Sequence, residues 1–135
     1  MLYCGTTQGW HQISVADAHT VNRGLPDQVV TQIAVHQQKA IAACPHLTRA
    51  HFMLDWATEE SAQQHQQPGV WLEDLGLDQP KPRRIWEGNA KSCAFDKAGS
   101  LLAGVEPADV LSSTDDGATW QDSNSFRQFD SRSSW

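Results

Sequence analysis

Short apolar runs broken by turn residues make up most of the chain, and this spacing predicts strands. Leu2-Tyr3-Cys4-Gly5, Thr6–Gly9 and Trp10-His11-Gln12-Ile13 read as strand, Gly-bounded turn, strand. Asp17–Arg23 is polar and is expected to be loop, and Gly24-Leu25-Pro26-Asp27 is a turn signal. Val29–Val35 is rich in β-branched side chains, which suit a pleated strand. Ile41–Cys44 reads as a second strand, ended by Pro45.

The next segment changes character. Leu47–Gln64 has no β-branched run, and Ala50, Met53, Leu54 and Ala57 recur at helical spacing, which predicts a helix over 47–64. Gln63–Gly69 is a polar linker. Val70-Trp71-Leu72 reads as a short strand, and Asp78–Arg84, with two prolines and three basic residues, as loop. The last third returns to β, with strands at Ser92–Asp96, Ser100–Gly104 and Asp109–Ser113, and a fourth starting at Thr119-Trp120-Gln121. Four antiparallel strands in about 35 residues make one sheet of the size used in propeller blades.

A weak repeat runs through these strands. Ala34–Cys44 aligns with Ala94–Gly104 at an offset of 60 without a gap, matching Ala34 with Ala94 and Ala43 with Ala103. Val35/Phe95, Ile41/Leu101 and Ala42/Leu102 keep apolar character, and Leu2–Gly5 resembles Leu101–Gly104.

Composition narrows the picture. The 135 residues suit one small domain, and six Trp against one Tyr suggest several large packing anchors. A net charge of −6 argues against sequence-independent nucleic-acid binding, which depends on Lys and Arg neutralising phosphates. Cys4, Cys44 and Cys93 form neither a disulfide framework nor a Cys-x-x-Cys pair, and reduced, partly buried thiols are expected. No basic-then-apolar leader and no stretch of about 18 apolar residues is visible, so the expectation is a soluble cytoplasmic protein with no membrane contact.

One motif is specific. Ser113, Asp115, Gly117 and Trp120 give the pattern Ser-x-Asp-x-Gly-x-x-Trp directly after a strand. Asp and Ser side chains can satisfy backbone N–H groups in a turn, Gly accepts the positive φ that other residues resist, and Trp can bury its ring against neighbouring strands. With these residues the chain resembles the BNR/Asp-box repeat family, the sialidase-like and glycosyl hydrolase-like β-propellers. Arg84–Gly88, Leu101–Asp109 and Gly24-Leu25-Pro26 leading into Val29–His36 carry the same resemblance, which covers roughly 1–44 and 84–135. In that family the box sits on hairpins away from the active site, so the implied role of these four residues is blade folding.

The resemblance implies no catalytic residue for this chain. Sialidase-type chemistry uses three arginines, a Tyr nucleophile with a Glu partner, and an Asp acid/base, but the only tyrosine is Tyr3 and the nearest approach to the arginine motif is Arg84-Ile85-Trp86. Glycosidases need two carboxylates roughly 5–10 Å apart. Asp55/Glu59 and Glu106/Asp109 are the candidate pairs, with solvated surface as the competing reading. For metal, Cys44, His46 and His51 cluster, and His51, Asp55 and Glu59 would share one face of the expected helix, but the spacing matches no established motif.

The expected fold is therefore all-β, a partial β-propeller of about two to three antiparallel blades. Residues 1–44 form one blade region, 45–69 a helical or linker insertion, and 70–135 a second blade region with the box. A closed propeller takes four to eight blades, more than this chain holds. The expected function is a non-catalytic structural or interaction module without cofactor or metal. A protein partner or self-association through open sheet edges is expected. A glycan-processing hydrolase and an assembly factor for a larger complex are the alternatives.

Overall fold

The structure is a computed structural model that describes residues 1–6, 8–25, 28–46, 66–79 and 81–123. The helix expected over 47–64 and the candidate residues His51, Asp55 and Glu59 lie outside the described residues.

Every regular element among the described residues is a strand, so the described part of the chain is all-β. The first sheet holds β1 (Leu2–Thr6), β2 (Gly9–Ile13) and β3 (Thr20–Gly24). The second holds β4 (Gln32–His36), β5 (Lys39–Cys44), β6 (Gly69–Asp74) and β7 (Arg83–Glu87). The third holds β8 (Asn89–Phe95), β9 (Leu101–Glu106), β10 (Asp109–Ser113) and β11 (Gln121–Asp122). In all three, strands consecutive in sequence are antiparallel neighbours, and no sheet closes on itself.

Two strands fall where the hydrophobic pattern predicts loop. β3 covers the polar stretch Thr20–Gly24, and β7 begins at Arg83, inside the Pro- and Arg-rich segment. Each pairs on one side only, so each needs just one set of ladder hydrogen bonds and tolerates polar side chains. The second sheet also cuts across the expected division at residues 45–69, because β5 pairs with β6 from Lys39↔Asp74 to Cys44↔Gly69.

Alternation gives each sheet two faces, and the sheets use them in a fixed sequence. In the first sheet, Tyr3 and Trp10 pack on Ala40, Ala42, Cys44 and Trp71 of the second. The opposite face of the second sheet, with Ile41, Ala43, Val70 and Leu72, packs on Cys93, Leu101 and Ala103 of the third.

This stacking corrects the gap-free repeat. Ala34 pairs with Ile41, and Ala94 pairs with Leu102. The first strands thus keep the offset of 60, but Ile41 then corresponds to Leu102 and Ala42 to Ala103, one residue later than the sequence alignment places them. The cause is the turn between the strands. Gln37 and Gln38 alone separate the His36↔Lys39 pair, whereas Lys97, Ala98 and Gly99 intervene where Asp96 N–H donates to Ser100 O at 3.0 Å. One extra turn residue moves every following side chain to the other face. The match of Leu2–Gly5 with Leu101–Gly104 agrees with the stacking, since Tyr3 and Leu102 then share a face with Ile41.

Candidate functional site

The side chains that carry charge or special backbone geometry into the interior gather at the two junctions between sheets. At the second junction, Ser113–Trp120 links β10 to β11. Gly117 N–H donates to Ser113 Oγ at 2.9 Å, and Ser113 Oγ–H donates to Asp115 Oδ1 at 2.8 Å. Asp115 also accepts the Thr119 N–H at 2.8 Å and the Thr119 hydroxyl at 2.6 Å. Hydrogen bonds from the Thr119 hydroxyl, the Thr119 N–H and Ser113 hold the Asp115 carboxyl down to about 2.

The turn is fastened to the second sheet. Gly117 is at φ +81°, and a Cβ there would sit 2.6 Å from Ile85 Cβ. Trp120 Nε1–H donates to Ile85 O at 3.0 Å. Lys39 Nζ reaches Asp116 Oδ2 at 2.6 Å, and Arg83 Nη2 donates to Asp116 O at 3.1 Å.

The first junction carries a buried ion pair at the corresponding place. Arg23 Nη2 donates to Glu73 Oε1 at 2.7 Å, with side chains 8% and 1% exposed. Glu73 pairs with Ala40 as Ser113 pairs with Leu101, so Glu73 occupies in the second sheet the position of Ser113 in the third. Arg23 and Ile85 correspond as well. Each is the extra residue of a bulge, Arg23 between partners Asn22 and Gly24, and Ile85 between partners Arg84 and Trp86. Each bulge aims one side chain at the next sheet.

Around this pair, among the described residues, Trp10 Nε1, Arg23 Nε and Glu73 Oε2 are buried without a hydrogen-bond partner. Burial pushes the Glu73 carboxyl up from its ordinary range, against the opposing pull of Arg23. A shallow recess opens beside it, lined by residues that include Trp10, Ala42, Trp71, Glu73 and Pro82, with no room for even a water molecule.

The other candidates do not converge. Glu106 Oε2 accepts from Asn89 Nδ2 and faces Lys91 Nζ at 2.9 Å, while Asp109 Oδ1 accepts from Val110 N–H at 2.9 Å and Ser123 Oγ at 3.3 Å. The two carboxylates thus serve separate partners. Tyr3 stacks on Trp10 with ring centroids 6.1 Å apart. Burial, with Cys93 nearby, pushes the Cys44 thiol up to about 12, which disfavours the thiolate that binds metal. Among the described residues no group of three or more His, Cys, Asp and Glu could hold a metal ion.

Sequence reading missed Arg23 and Glu73. The available signal was alternation: Trp71 and Glu73 are two apart in one strand and so share a face, which puts a carboxylate beside a large apolar ring. Comparison with protein-family models, curated proteins and solved structures gives no match to this chain.

Proposed function

We propose that the chain is a non-catalytic structural or interaction module built as an arc of propeller-type blades. Among the described residues one blade has three strands and two have four. The observation that carries this reading is the repeated junction. Each sheet lays the same face on the opposite face of the next, which is how blades succeed one another around a propeller axis. The turn Ser113–Trp120 and the Arg23–Glu73 pair occupy equivalent places and both fasten one sheet to its neighbour. The charged side chains Arg23, Glu73, Lys39 and Asp116 are thus engaged in joining one sheet to the next.

The test is a panel of aryl glycosides, sialosides included, with the purified folded protein. The reading expects no release above the buffer blank. Hydrolysis that scales with protein concentration and is abolished by Glu106→Gln or Asp109→Asn in a chain of unchanged fold would overturn it in favour of a glycan-processing hydrolase.

A further inference from the structure

Among the described residues, one copy of each junction face has no sheet packed on it, at opposite ends of the arc. On the first sheet, Leu2 and Cys4 correspond to Ala40 and Ala42 of the second and to Leu101 and Ala103 of the third. The four corresponding residues are 0–3% exposed, because a neighbouring sheet covers them. Leu2 is 55% exposed and Cys4 is exposed as well. Cross-strand pairing puts His11 and Ile13 on the same face, through Cys4↔His11 and Leu2↔Ile13. At the other end, Leu102, Gly104, Val110 and Ser112 share the outward face of the third sheet and are all half-buried. They correspond to Ile41, Ala43, Val70 and Leu72, which the third sheet covers completely in the second.

We propose that the outward face of the third sheet binds the outward face of the first sheet in a second copy of this chain, so that copies associate head to tail. The inference rests on the module reading and names its partner. The two end faces correspond, position by position, to the two halves of a junction that the chain forms twice internally with other side chains. Such a contact is heterologous: it uses different surfaces on the two copies, and it closes into a ring or extends into a filament according to the rotation per copy. It buries apolar faces and differs from simple edge-to-edge strand pairing.

Complementation tests this directly. Leu2→Glu blocks the first-sheet face and Leu102→Lys blocks the third-sheet face, with Cys4→Arg and Ser112→Arg as replacements should either variant fail to show the native circular-dichroism spectrum. In sedimentation velocity the native chain should form concentration-dependent species of two or more copies. Each variant alone should weaken association by about tenfold or more. An equal mixture of the two should recover a dimer and nothing larger, because each variant supplies the face the other lacks. A native chain that stays monomeric at every concentration overturns the proposal, and so does a mixture that behaves as the sum of its separate components. Neither result touches the non-catalytic reading, which stands or falls on the glycoside panel.

Discussion

Arg23 Nη2 and Glu73 Oε1 meet at 2.7 Å across the first sheet junction, in the position that Ile85 and the Ser113–Trp120 turn fill at the second. One junction is closed by a buried ion pair and the other by a hydrogen-bonded turn. The two solutions differ in how they respond to substitution. A buried pair has already lost its hydration, so removing one partner strands the other charge.

Glu73→Ala should therefore destabilise the chain by about 3–5 kcal/mol, while the paired change Arg23→Met with Glu73→Leu should stay within about 1 kcal/mol of the native chain. Urea unfolding followed by Trp fluorescence measures both. Equal losses for the single and the paired change would show that the charges do not act as a pair.

The turn should make the chain sensitive to acid. The Asp115 carboxyl is held down to about 2 from an ordinary 3.8, so the folded chain takes up its proton less readily than the unfolded one. Its stabilising contribution is complete above 3.8 and is lost as the pH falls towards 2. Carboxyl chemical shifts should place the Asp115 midpoint near 2, and Asp115→Asn should remove this part of the stability loss. A midpoint at the ordinary value would contradict the hydrogen-bonding assigned to Thr119 and Ser113.

Gly117 and Ile85 should behave as one unit. Gly117→Ala places a methyl 2.6 Å from Ile85 Cβ and holds Ala at φ +81°, a combination expected to cost about 1–3 kcal/mol. Adding Ile85→Gly, which removes the Cβ together with the Cδ1 at 2.7 Å, should relieve the clash, giving a favourable coupling of at least about 0.5 kcal/mol in a double-mutant cycle. Strict additivity would mean that the turn does not press on the second sheet.

The parts legible in the sequence were those set by local chemistry. β9, β10 and the Gly117 turn follow from alternation and turn residues within a short stretch. β3 and β7 were hidden because a strand paired on one side can stay polar, as the Asn22-Arg23 and Arg83-Arg84 pairs in their sequences show. Arg23 and Glu73 are 50 residues apart, and nothing local to either reveals the other. The repeat was visible but misaligned after the first strand, because the one-residue difference between the Gln37-Gln38 turn and the Lys97–Gly99 turn is a gap that two identities cannot locate.

Each sheet lays one face on the opposite face of the next, so that Ala42 and Ala103 hold equivalent places at successive junctions. Methyl nuclear Overhauser contacts measure this stacking. Contacts are expected from the Ala42 methyl to the Trp10 indole, and from the Ala103 methyl to the methyls of Ile41 and Val70. Contacts joining the Ala42 methyl to Leu101 or Ala103, with none to Trp10, would contradict it.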